Sequence, residues 1–134
     1  MPGQTHGYSG KPLFQKLGLK PGMTCLTLKA PDHLPDLLRG VEGVRFIRRA
    51  APADAVLVFC RVKREVTPLT TRALDAVKAG GMIWVAWPKK SSSLYKDLTE
   101  QDFRDQVLPL GWVDVKVCAI DADWSGLKFL KRKT

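Results

Sequence analysis

The chain has little of what most metal and dithiol sites are built from. Its 134 residues include two histidines and three cysteines. No cysteine pair has C-x-x-C spacing, and no grouping of His, Cys and carboxylates has the spacing of metal ligands. Cys25, Cys60 and Cys118 each fall inside an apolar, strand-like run and read as buried thiols. No apolar stretch approaches the ~18 residues of a membrane-spanning helix. The opening Met1 to Gly10 is polar and glycine-rich, without the apolar centre of a secretory signal, so the cytoplasm is the expected compartment. Carboxylates are scarce as well: 13 Asp and Glu stand against 22 Lys and Arg, a net charge of +9. That imbalance points toward anionic partners, whether nucleic acid, phosphorylated ligands or acidic surfaces, and it also serves solubility alone.

What the chain does have is a regular alternation of strand-like and helix-like segments. Leu13 to Leu17, between Pro12 and Gly18, reads as a short helix. Met23 to Lys29 reads as a first strand. A helix bearing Leu34, Leu37 and Leu38 follows, with Asp32 as its expected N-cap and Gly40 as its stop. Val44 to Arg49 alternates with polar residues, which fits the sheet edge or its neighbour. Ala55 to Cys60 is apolar throughout, the pattern of a strand buried on both faces. Thr67 and Pro68 look like the cap and first turn of a helix that carries Leu69, Ala73, Leu74 and Val77 and stops at Gly80.

Met82 to Trp87 is a fourth strand. The next helix starts at Thr99, with Asp102 as partner in a capping box, buries Phe103 and Val107, and ends at Pro109 and Gly111. Trp112 to Ile120 and Trp124 to Leu130 are two strands joined by Asp121-Ala122-Asp123, too close in sequence to be other than antiparallel. There is no repeat, linker or low-complexity segment. One domain over residues 1–134 is expected, with 1–10 as a flexible arm and 131–134 as a basic tail.

Alternating strands and helices define the α/β class. The expected form is a three-layer, Rossmann-like domain with helices on both faces of a mostly parallel, six-stranded sheet. The antiparallel C-terminal hairpin resembles the closing pattern of the class I methyltransferase fold, and that resemblance implies the spatial strand order 2-1-3-4-6-5. A second resemblance rests on motifs: Gly-Tyr-Ser-Gly-Lys-Pro-Leu at Gly7 to Leu13, Trp-Pro-Lys-Lys at Trp87 to Lys90, Asp-Leu-Thr-Glu at Asp97 to Glu100, and the run from Val113 through Trp-Ser-Gly-Leu at Trp124 to Leu127. Through them the chain resembles small bacterial proteins grouped as a domain of unknown function, which implies no activity.

The methyltransferase resemblance implies adenosylmethionine as a candidate cofactor, and here the sequence departs from the pattern. That cofactor sits over a Gly-rich turn after the first strand, where missing side chains let the backbone approach it. The corresponding Lys29-Ala30-Pro31-Asp32-His33 has no glycine, and Pro31 has no N–H to donate. Arg48-Arg49 stands where an acidic residue would hold the ribose hydroxyls.

Ligands of open α/β sheets bind at the carboxyl ends of the strands, and four clusters are expected to meet there. Lys89 and Lys90 with Ser91 and the serines after it suit an anion. Arg61, with Lys63 and Arg64, adds charge. Trp87 and Trp124 offer flat faces for stacking, or serve as packing anchors. Asp121 and Asp123 read as turn residues or as carboxylates for proton transfer, and His33 is the histidine nearest the crevice. Tyr8, Ser9 and Lys11 would close over it from the arm. The expectation is thus a binding module for an anionic, nucleotide-like or phosphorylated ligand, contacted by Trp87, Lys89, Lys90, Ser91, Arg61, His33, Asp121 and Trp124 and needing no metal. The alternatives are a divergent methyltransferase-like enzyme using Asp121 or His33, and a nucleic-acid-binding protein using Arg45, Arg48, Arg49 and the tail.

Overall fold

A computed structural model describes residues 11–133; the expected arm, with Tyr8 and Ser9, and the final Thr134 lie outside them. The elements in chain order are α1 (Leu13–Leu17), β1 (Thr24–Leu28), α2 (Leu34–Leu37), β2 (Arg45–Ile47), β3 (Ala53–Phe59), α3 (Val66–Ala76), β4 (Val77–Pro88), α4 (Glu100–Val107), β5 (Trp112–Ala119) and β6 (Trp124–Lys131). The six strands form one sheet in the order β2-β1-β3-β4-β6-β5. β1 pairs in parallel with β2 and β3, and β3 with β4. β6 runs antiparallel to both of its neighbours, β4 and β5. Two of the five ladders are therefore antiparallel, and both belong to β6.

Period-two alternation along the central strands sends side chains to two separate cores. Val56 and Val58 of β3 and Ile83, Val85 and Trp87 of β4 face one side, where α3 and α4 cover them with Leu69, Ala73, Phe103 and Val107. Ala55, Leu57 and Phe59 of β3 and Met82, Trp84 and Ala86 of β4 face the other, packed against Leu17 of α1, Leu34 of α2 and Leu38 just past it. Helices thus lie on both faces, in three layers. α3 is held by the spacing of Val66, Leu69, Thr70, Ala73 and Ala76, all buried.

Several boundaries differ from the sequence reading, each for a local reason. α2 is a single turn rather than a helix running to Gly40, and Asp32 makes no capping bond. α3 begins at Val66, so Thr67 is inside the helix and its hydroxyl donates to Gln106 Oε1 at 3.0 Å. The expected α4 capping box is present, with the Thr99 N–H donating to Asp102 Oδ2 at 2.8 Å and the Thr99 hydroxyl donating to the same oxygen at 3.3 Å. Gly80 does not stop α3, which ends at Ala76. The pairing of β3 with β4 instead jumps from Ala53–Val77 to Ala55–Met82, so that Lys78, Ala79, Gly80 and Gly81 bulge opposite Asp54 alone. Gly80 supplies the left-handed turn of that bulge with φ +81°. Asp54 braces it, accepting the Thr24 N–H at 2.8 Å and pairing with Lys78 at 3.7 Å. No helix among the described residues is long and apolar enough to cross a membrane.

Candidate ligand site at the carboxyl edge

The turn leaving β1 keeps the backbone shape of a glycine turn without the glycine. Lys29 has φ +58°, a left-handed conformation that costs a residue with a Cβ about 1–2 kcal/mol. Contacts from the loop after β3 hold it in place. Arg61 donates from a guanidinium nitrogen to the Lys29 carbonyl at 2.8 Å, and the Lys29 ammonium lies 3.4 Å from Glu65. Glu65 in turn accepts the backbone N–H groups of Arg61 at 2.7 Å and Val62 at 3.3 Å. Burial pushes the Glu65 carboxyl up, but those N–H donors and Lys29 outweigh it and leave it below the usual carboxylate range.

Beside this turn lies an open groove of about 680 Å³, at the carboxyl ends of β1 and β2. Apolar side chains supply much of its wall, Leu34, Leu38 and Val41 among them, and Phe46 on β2 lines it while 40% exposed. The charged groups at its rim are Lys29, Asp32, Arg48 and Arg72. Sequence reasoning marked Arg48 as the residue in place of a ribose-binding acid but gave no role to Lys29, Phe46 or Arg72. Arg72 flanks the buried stripe of α3, and only the sheet order shows that this flank overlooks β1 and β2.

A second cluster forms where the turn between β5 and β6 meets the start of α2. His33 Nε2 lies 2.9 Å from Asp121 Oδ2. The other carboxylate oxygen of Asp121 accepts the backbone N–H groups of Asp123 and Trp124, both at 2.8 Å. Burial raises the Asp121 carboxyl, and His33 together with the two N–H groups lowers it further than burial raises it. An ionised carboxylate only accepts, so Nε2 of His33 is the donor in this bond. The imidazole is 48% exposed, whereas the Asp121 side chain is 17% exposed.

Because Asp121 has a depressed carboxyl pKa, its share of stability is full above the unfolded value near 3.9 and is lost as pH falls through the lower folded value. Asp121→Asn is expected to cost about 1 kcal/mol at pH 7 and progressively less below about pH 4. Thermal melts of both proteins across that range read this out; a gap that does not narrow toward low pH would show that the carboxylate charge is not what matters.

The remaining expected site residues are placed differently. Trp87 is buried, its ring 5.6 Å from that of Phe103 in the core under α3 and α4, so it has no face to offer a ligand. Trp124 is also buried, edge-on to Phe59, with the Arg61 guanidinium 5.2 Å above its ring. The expected aromatic wall is therefore core, and Arg61 clamps the β1 turn to Trp124. The loop after β4 is tied down as well. The Lys89 N–H donates to the Asp123 carbonyl, and the Ser92 hydroxyl donates to the Asp123 carboxylate, both at 2.8 Å. The side chains of Lys90 and Ser91 are exposed, and Lys89, Lys90 and Ser91 are not part of the groove wall. Cys25 and Cys60 are buried, with thiols pushed up to about 12 chiefly by that burial.

No family model and no curated protein matches the sequence, so the likeness to the small bacterial group rests on the motifs alone. Solved structures do match the fold. A SAM dependent methyltransferase from Aquifex aeolicus superposes with a TM-score of 0.63 at 14% identity, over 87% of this chain and 86% of that one. The fibrillarin pre-rRNA processing protein of Methanococcus jannaschii gives 0.55 at 15%, over 96% and 72%. Magnesium protoporphyrin IX methyltransferase from Synechocystis, with bound SAH, gives 0.58 at 10%, over 90% and 78%. At such identities the likeness is one of fold, and the fold is that of the SAM-dependent methyltransferases.

Proposed function

We propose that the chain is a divergent methyltransferase-like protein that holds a nucleoside-type ligand in the groove at the carboxyl ends of β1 and β2. The groove itself carries this reading: its volume of about 680 Å³ falls in the range of small-molecule sites, and it lies at the sheet edge where α/β proteins bind ligands. Phe46 provides an exposed ring for a base. Because neighbours in fold are SAM-dependent or carry bound SAH, adenosylmethionine and its demethylated product are the first ligands to try. The His33–Asp121 pair adds a proton acceptor beside the β1 turn. Asp121 orients the ring through Nε2, and Nδ1 takes the proton that an oxygen or nitrogen acceptor sheds when it is alkylated.

Calorimetric titration with adenosylmethionine, adenosylhomocysteine and adenosine tests the reading. Binding of at least one is expected, weakened about tenfold by Phe46→Ala, a change on the surface that leaves both cores intact. His33→Asn is expected to abolish turnover and leave binding alone. The reading fails if none of the three binds, or if Phe46→Ala binds them as well as the parent. The second reading, an anionic ligand bound without chemistry, is favoured by the charge of Arg48 and Arg72 at the groove rim.

A further inference from the structure

The groove carries positive charge that the fold does not use. Lys29, Arg48 and Arg72 line it against the single carboxylate of Asp32. Lys29 is already paired with Glu65. Among the described residues, the guanidinium groups of Arg48 and Arg72 make no ion pair or side-chain hydrogen bond. Two unpaired guanidiniums brought to one cavity from a strand end and a helix repel each other, and their fork of N–H donors matches the oxygens of a phosphate or a carboxylate.

The position of Arg48 selects which phosphate. It is the first residue past β2. In nucleotide-binding sheets of this kind an acid near the end of that strand accepts bonds from free ribose hydroxyls, whereas an arginine nearby accommodates a phosphate on the ribose. The usual seat for a 5′-phosphate is the turn after β1, where N–H groups opening the next helix point at the anion. That seat is depleted of donors in this chain. Pro31 and Pro35 have no N–H. The N–H of Leu34 already donates to the Pro31 carbonyl at 3.0 Å, and those of Asp36 and Leu37 donate to the His33 carbonyl at 3.0 and 3.2 Å. The N–H groups of Ala30, Asp32 and His33 remain in that turn, but beside the Asp32 carboxylate, which repels an anion, whereas two guanidiniums stand where a ribose phosphate would sit.

We infer that the groove binds a nucleoside phosphorylated on its ribose, at the 2′ or 3′ oxygen, with Arg48 and Arg72 holding the phosphate. This rests on the nucleoside reading of the same groove. The test titrates the full chain with adenosine, with its 2′-, 3′- and 5′-monophosphates, and with inorganic phosphate. The 2′- or the 3′-monophosphate is expected to bind about tenfold tighter than adenosine and than the 5′-monophosphate. Arg48→Ala and Arg72→Ala, both on exposed side chains, are expected to erase that preference while adenosine binds as before. Adenosine bound as tightly as its ribose phosphates, or a 5′-monophosphate preferred over them, overturns this inference and leaves the nucleoside reading standing. If no nucleoside binds in any form, both fall, and inorganic phosphate bound alone would mark a plain anion site.

Discussion

Trp84→Ala is expected to cost about 3–5 kcal/mol, a large part of the 5–15 kcal/mol that holds a domain of this size together. Trp84 is 1% exposed in the middle of β4, the strand flanked by β3 and β6. Its ring fills the core shared with α1 and α2, and its Nε1–H donates to the Leu17 carbonyl at 2.9 Å. α1 is only five residues long, too short to be stable by itself, so this bond and the burial of Leu17 are what keep it on the sheet. Truncation therefore removes apolar contact, leaves a cavity and strands a buried acceptor at once. Trp84→Phe separates these effects: it keeps much of the volume but orphans the Leu17 carbonyl, and about 1–3 kcal/mol is expected. Urea unfolding of the three proteins measures both. An alanine variant within 1 kcal/mol of the parent would mean that the face under α1 is not a packed core.

Gly81→Ala should destabilise by about 1–3 kcal/mol, and more than Gly80→Ala does. The two neighbours are glycine for different reasons. A methyl group at Gly81 would lie 2.7 Å from Val77 Cγ2, 2.8 Å from the Asp54 carbonyl oxygen and 3.0 Å from that of Lys78. Two of those atoms are backbone and cannot turn away. At Gly80 the space is open, and only the φ of +81° resists a side chain, at about 1–2 kcal/mol. Chemical denaturation of both variants reads the difference, and Gly80→Ala emerging as the worse of the two would contradict the close approach at Gly81. Both residues sit at the end of β4 remote from the groove, so ligand binding serves as a control that should not move.

The strands were legible in the sequence because burial on both faces leaves continuous apolar runs, as in Ala55 to Cys60 and Met82 to Trp87. The antiparallel pairing of the last two strands followed from the short link between them, whereas the order of the whole sheet came from the resemblance to the methyltransferase fold. Helix ends were less legible. Gly80 reads as a helix stop because glycine commonly ends helices, but β-branched Val77 already continues in extended form, and the glycine serves a bulge whose reason, Asp54, lies more than twenty residues away in sequence. The site shows the same division. His33 and Asp121, 88 residues apart, were each identifiable at the sheet edge, while their bond was not. Trp87 misled because a tryptophan at the last turn of a strand looks the same in sequence whether its ring faces solvent or Phe103. The groove escaped notice because its cations, Arg48 and Arg72, stand on separate elements with no motif between them.

The insertion of β6 beside β4 decides what the two rims of the sheet present to another molecule. Had the sheet ended at β4, a long apolar strand would have offered its unpaired N–H and C=O groups to any passing chain. Instead the rims are β2 and β5. β2 is three residues long and starts with the exposed Arg45. β5 carries exposed Lys116 between Val115 and Val117, and its ladder slips between Asp114 and Lys116. A short strand, edge cations and a broken register are the devices that deter edge-to-edge aggregation. Part of the chain's surplus of lysine and arginine thus guards the rims of its sheet, separately from any ligand.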